Sequence, residues 1–313
     1  MLRFRTNSLA IFSLVLLVAL VSPAQAQKKD PKEKKVYTGT PVLWHAPEDI
    51  ESRNLLLGAG GEAMKPDLSR VTFVEDKEGG WSTKYRVRDG KGVEWVAKLS
   101  KEAQPETAAN RLAWAAGYET EIVYLVPELE IVGKGTFKNV KLEARPKDVK
   151  RTGFWQWESN PFRGKAEFQG LKIMMALINN WDMKDDNNAI LAVKGDTNSE
   201  RRFIISDLGA TFGKTGGVFS RSRNKPSDFV KAEFVKGVKG SEIDFNYSGK
   251  NQKIFDGITV ADAKWLADWL SRLSDDQIGD AFRAANYSTE EVEMLTGAVR
   301  TRINTLTSLV NGR

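Results

Sequence analysis

The chain has 313 residues, 41% of them hydrophobic and 28% charged, with a formal charge of +6 at pH 7, a single histidine and no cysteine. This is the make-up of a globular protein long enough to bury one large core or two lobes, not of a disordered chain or a disulfide scaffold. With His45 as its only histidine and no thiol, the sequence also sets aside serine-histidine-acid triads, cysteine nucleophiles and thiolate or multi-histidine zinc sites.

Residues 1–26 stand apart. Arg3 and Arg5 precede the apolar run LAIFSLVLLVALV, and SPAQAQ follows with small residues at Ala24 and Ala26. This is the pattern of a secretory signal peptide cleaved after Ala26, and the run is short for a membrane anchor. The expectation is an exported protein, periplasmic or secreted, with no integral membrane segment after cleavage. Loss of the two arginines takes the charge from +6 to +4, and part of that surplus lies in the lysine-rich tail of residues 27–40. So small an excess, with no aromatic residues interleaved, reads as a solvated spacer rather than a nucleic-acid arm.

Residues 47–61 (PEDIESRNLLLGAGG) read as a short helix started by Pro47 and stopped by glycines. Extended signals follow at 70–75 (RVTFVE), 83–88 (TKYRVR) and 93–99 (VEWVAKL), separated by KEGGWS and by the turn pair Asp89-Gly90. They predict a three-stranded antiparallel meander. The alanine-rich QPETAANRLAWAAGY is helical in spacing and stops at Gly117, and two more extended runs, EIVYLVPELEIV and FKNVKLEAR, complete a small α+β lobe over residues 41–145. From 146 to 313 the chain is mainly helical. An apolar helix AEFQGLKIMMALINNW leads to a polar loop, the hairpin NAILAV/RRFIIS, a glycine-rich segment and a basic loop. Three helices close the chain, signalled by Thr259, by Ser274 with Gln277, and by Ser288 with Glu291.

Two motifs compete for the chemistry. GATFGKT at 209–215 approaches a phosphate-binding P-loop, but only three residues separate its glycines where four are needed, and no helix signal follows. The acidic motif has more behind it. In NNWDMKDDNNAIL, Asp182 and Asn187 are spaced D-x-x-x-x-N with Lys184 between them, and Asp207-Leu208-Gly209 ends the next strand. That spacing suits phosphoryl transfer, in which the first aspartate orients an acceptor hydroxyl while the asparagine and second aspartate hold a hard cation, Mg²⁺ or Mn²⁺. Lys98 on the third strand (EWVAKL) and Glu106 at the start of the next helix can form the ion pair that aims a lysine at nucleotide phosphates. In KEGGWSTK, Gly79, Gly80, Ser82 and Lys84 occupy the place of a phosphate-covering loop.

In this order of motifs the sequence resembles the atypical protein-kinase-like superfamily, which includes persistence-toxin kinases, phosphatidylinositol-type kinases and secreted Golgi kinases. The resemblance runs over about residues 70–215. It implies a two-lobed α+β fold that binds ATP or another nucleoside triphosphate with Mg²⁺ or Mn²⁺, a nucleotide lysine at Lys98 braced by Glu106, a catalytic aspartate at Asp182 and metal ligands at Asn187 and Asp207. The likeness extends to exported bacterial proteins with a similar N-N-W-D-x-K loop and names no substrate. Asn180-Trp181 replaces the usual H-R before the catalytic aspartate, and no A-P-E segment follows Gly209, so recognition of protein substrates in the ordinary way is not implied.

The leading expectation is an exported metal-dependent phosphotransferase with an unknown acceptor. Two alternatives stay open: an inactive pseudokinase serving as an envelope binding module, and a nucleotidyl-transferase (AMPylator) on the same fold. Trp155 and Trp157 are expected to pack one lobe against the other rather than bind a carbohydrate or nucleobase, and Trp265 and Trp269, four apart on a helix, to be core. Arg221 and Arg223 are expected in a solvated loop.

Overall fold

The computed structural model describes residues 37–77 and 82–311; the expected signal peptide, most of the basic tail, and Gly79 and Gly80 lie outside the described residues. Strand β1 (Pro41–Val42) joins the sheet of the second lobe. The first lobe is a five-stranded antiparallel sheet of β2 (Thr72–Asp76), β3 (Thr83–Arg88) and β4 (Glu94–Leu99), then helix α1 (Ala103–Ala115), then β5 (Val123–Ile131) and β6 (Gly135–Ala144), in spatial order β2-β3-β4-β6-β5. Five strands with one helix after the third is the expected arrangement. Asp89 fixes the turn between β3 and β4, since its buried carboxylate accepts from the backbone N–H groups of Lys91 and Val93 and from Trp95 Nε1 at 3.0 Å.

Alternation divides the sheet into two chemical faces. One carries Val87, Trp95, Ala97, Val140 and Leu142, all fully or nearly fully buried, into an apolar cluster of its own. The other faces α1 and is charged. Residues 47–61 depart from expectation: two single 3₁₀ turns, Ile50–Ser52 and Gly58–Gly60, replace a helix. Arg53 is extended, and Gly58 and Gly61 have φ of 65° and 53°, so the helical path is broken twice within eight residues.

The second lobe opens with β7 (Val149–Gly153) and α2 (Ala166–Leu177), followed by the hairpin β8 (Asn188–Val193) and β9 (Arg201–Ile205), in a sheet ordered β1-β9-β8-β7. Helix α3 (Pro226–Lys231) and the hairpin β10 (Val235–Lys239) and β11 (Glu242–Phe245) precede the closing helices α4 (Val260–Leu270), α5 (Asp275–Arg283) and α6 (Thr289–Asn311). The caps expected from sequence are formed. Thr259 with Asp262 and Ser274 with Gln277 make capping boxes, and Ser288 Oγ accepts from the Glu291 N–H while Glu291 returns the bond. On α6, Val292, Leu295, Val299, Ile303 and Leu306 recur at helical spacing and are buried against the lobe core.

Trp155 and Trp157 are 3% and 2% exposed, and their ring partners, each other and Phe168, lie in the second lobe, so they pack within its core where packing between the lobes was expected. Trp265 and Trp269 are only partly buried and pack their rings on Trp44, with centroids 4.9 and 5.7 Å apart, at its margin. Among the described residues no helix is long and apolar enough to cross a membrane.

Candidate functional site

The charged face of the first sheet contains a physical problem and its solution. Lys84 on β3, Lys98 on β4 and Lys141 on β6 lie directly opposite one another in the register, three cations in a row across adjacent strands. Like charges so placed repel, so the face is stable only if acids cover it. Helix α1 supplies them from its first turn, where the helix dipole also favours negative charge. Glu106 Oε2 accepts from Lys98 Nζ at 2.7 Å and Oε1 from Lys141 Nζ at 2.5 Å, with all three residues under 5% exposed. Lys141 also donates to Glu143 on its own strand at 3.0 Å.

Lys98 Nζ has two further carboxylate partners, Glu102 at 2.9 Å and Asp207 at 3.4 Å. Burial alone would lower the Lys98 pKa, but Glu106 and Asp207 outweigh it and hold the ammonium above its ordinary value. Lys141 is likewise held up by Glu106 and Glu143 against its burial. For Asp207, burial acts to raise the pKa, yet Lys98, Lys141, the Gly209 N–H and Lys84 together keep it below the usual aspartate range. Asp207 is therefore a carboxylate, and with 39% of its side chain exposed it is open to a ligand.

The second lobe delivers its residues on one rigid hairpin. Asn188 pairs with Ile205, and the Ser206 N–H donates to the Asn187 carbonyl at 2.8 Å, so Asn187 and Asp207 leave the same end of β8 and β9. The Asn187 side-chain N–H donates to the Asp182 carbonyl at 2.6 Å, which uses its nitrogen and leaves Oδ1 as the atom free to meet a cation. Asp182 accepts from Lys184 Nζ at 2.7 Å. The loop that carries Asp182 is pinned from three sides. Trp181 donates through its backbone to Ala210 and through Nε1 to Ser222, Tyr247 donates to the Asn180 carbonyl, and the buried Arg302 of α6 donates to Asn179 Oδ1 at 2.8 Å.

The D-x-G glycine has a steric reason. A Cβ on Gly209 would lie 2.6 Å from Glu102 Cβ, so only glycine lets this segment approach the start of α1. Ser82 donates to Glu102 at 3.2 Å, and Lys77 closes the hairpin around the glycine loop by donating to the Lys84 carbonyl. The expected phosphate-loop positions thus divide: Ser82 and Lys84 border the Lys98 cluster, while Gly79 and Gly80 lie outside the described residues.

Three participants were not anticipated from sequence. Glu102 touches Ser82, Lys98 and Arg223, the last a close ion pair from the basic loop of the second lobe, so Arg223 is not merely solvated. Lys141 and Glu143 alternate with apolar residues on β6, which reads in sequence as a solvated strand face; α1 covers that face instead. Glu143 is drawn well below the carboxylate range: burial would raise it, but Lys141 and Arg145 prevail. His45, without an expected partner, bonds Glu119 through Nδ1 at 2.8 Å.

No family model matches the chain, and no curated protein matches it. Among solved structures, the chain is similar to the proinflammatory kinase CtkA of Helicobacter pylori, at 12% identity over 79% of this chain and 99% of that one, with a TM-score of 0.48. It is also similar to the Rio2 kinase of Chaetomium thermophilum, solved as an ADP/Mg²⁺-phosphoaspartate complex, at 11% identity over 78% and 74% of the chains, with a TM-score of 0.33. Neither score reaches 0.5. The five-stranded sheet with its helix after the third strand, and the meeting of Lys98, Glu106 and Asp207, fit a two-lobed kinase-like fold on this chain's own geometry.

Proposed function

We propose that the chain is an exported, metal-dependent phosphotransferase that moves a phosphoryl group from ATP or another nucleoside triphosphate to an acceptor. One observation carries the reading: a strand lysine braced by a helix glutamate at 2.7 Å lies 3.4 Å from a partly exposed, ionised aspartate on a hairpin shared with Asn187. A lysine held charged and immobile suits phosphate oxygens, and catalysis of this kind rests on positioning and charge neutralisation.

The donor set fits a magnesium-like cation. Among the described residues no three His, Cys, Asp or Glu side chains gather into a metal cage. Asp207 and Asn187 offer one carboxylate and one amide oxygen, which suits a small hard cation that keeps most of its ligands as phosphate oxygens and water. Such an ion, when bound, neutralises charge on the transferred group. Lys98 would hold phosphates, Ser82 and Lys84 would border them, and Asp182 would receive the acceptor's proton while Lys184 keeps its carboxylate in place.

Lys98 Nζ donates to Glu106 and Asp207 and is ion-paired with Glu102 as well, so three carboxylates surround it. A phosphate must displace one. Glu102 is the replaceable partner, because it is more exposed than Glu106 and shares its charge with Arg223. Glu102→Gln is expected to tighten binding of the metal-nucleotide several-fold, read by calorimetric titration; weaker binding would mean that Glu102 holds the lysine for the nucleotide rather than against it.

The reaction test is product identity. With ATP and Mg²⁺ or Mn²⁺ the chain should release ADP, the γ-phosphoryl group passing to water or to a hydroxyl of the chain itself when no other acceptor is supplied, and should stop on chelation by EDTA. Release of pyrophosphate would select nucleotidyl transfer, and binding without turnover of ATP would select the pseudokinase reading.

A further inference from the structure

Beside the loop of Asp182, on the second lobe, lies a cavity of about 430 Å³ that the proposed chemistry does not use. Trp157 and Phe168, stacked with centroids 6.1 Å apart, form its apolar floor. Lys172 Nζ stands 4.8 Å over the Phe168 ring and donates to Gln169 at 2.6 Å, while Arg163 and Lys253 stand at the rim. No ion pair is formed by these three cations among the described residues, unlike the lysine row of the first lobe. Trp157 is 2% exposed, and among the described residues its buried indole N–H has no hydrogen-bond partner, so its resonance is free to report changes at the adjoining cavity. Glu158 and Asp256 complete the lining as acceptors.

We propose that this cavity is a binding site for a small molecule bearing a phosphate or carboxylate group together with hydroxyl or amino groups. Lys172, Arg163 and Lys253 receive the anion, and Glu158 and Asp256 accept from the ligand's hydroxyl or amino groups. Burial, reinforced by Arg163, lowers the Lys172 pKa despite Asp262, so an arriving anion would relieve a strained charge.

Its walls are tied to the catalytic loop at two points. The Trp157 backbone N–H donates to Asp185 at 3.0 Å, and Asn251 donates to the Met183 carbonyl at 2.7 Å from the turn that carries Lys253. The anion site stands whether or not the chain transfers phosphate; its role as the seat of the acceptor's anionic end rests on the phosphotransferase reading.

The test uses inorganic phosphate as probe and the Trp157 indole resonance of ¹⁵N-labelled protein as reporter, assigned with Trp157→Phe. Phosphate is expected to move that resonance saturably. Exposed Arg163→Ala and half-buried Lys172→Met should each weaken the effect by about tenfold, the loss of one charge-assisted hydrogen bond. Lys98→Met should leave the phosphate affinity at this resonance within about twofold. No movement of the Trp157 signal, or movement abolished by Lys98→Met but not by Arg163→Ala, would overturn the site. Failure of phosphoryl transfer itself shows separately, as absence of ADP release.

Discussion

Asp182→Ala is expected to lower phosphoryl transfer by about 10²- to 10⁴-fold, the usual worth of a positioned general base, while the affinity for the metal-nucleotide stays within experimental error. The structure separates the two properties. Asp182 is salt-bridged to Lys184, two residues away on its own loop, and among the described residues makes no hydrogen bond or ion pair with Lys98, Glu106 or Asp207. Its loop is held by Trp181, Asn180 and Arg302 rather than by its own carboxylate, so the truncation leaves the scaffold intact. Transfer measured by ADP release and binding measured by titration should therefore diverge. Equal loss of both would mean that Asp182 belongs to the nucleotide site, and no loss of either would remove it from the chemistry.

Glu106→Leu is expected to have the largest effect on stability. Its carboxylate is the shared partner of two lysines that are almost fully buried, and its removal leaves Lys98 and Lys141 facing each other across adjacent strands. Breaking a buried charge network by deleting one partner costs about 3–5 kcal/mol, because the remaining ion keeps its desolvation penalty. At this chain length that corresponds to a fall in Tm on the order of 10 °C. Adding Lys141→Met to Glu106→Leu removes the stranded cation and should recover much of the loss. If the double variant is no more stable than the single one, repulsion between the lysines is not the cause.

The sequence was readable where local chemistry decides structure. The Asp89-Gly90 turn, the helix stop at Gly117 and the caps at Thr259, Ser274 and Ser288 are each set by one or two residues, and each is formed. The pairing of Lys98 with Glu106 followed from a strand lysine and a helix acid eight residues apart. Long-range cover was not readable. Nothing local to Lys141-Leu142-Glu143 says that α1 closes over its charged face, and nothing local to Glu102 or Arg223 says that the two lobes meet there. The helix expected over 47–61, started by Pro47 and stopped by glycines, breaks well before its glycines, at Arg53, whose backbone is extended. Export and the glycine loop rest on residues outside the described ones and stand as proposals.

The most direct test of the nucleotide site is a thermal-shift titration with ATP and Mg²⁺, run beside Asp207→Ala. A ligand at 100 times its Kd stabilises by about 2.7 kcal/mol, which at this size is a rise in Tm of roughly 5–10 °C. The expected result is a rise that requires the metal and that Asp207→Ala loses. A rise that is the same without metal, or that survives Asp207→Ala, would contradict the placement of metal and nucleotide between Lys98 and Asp207.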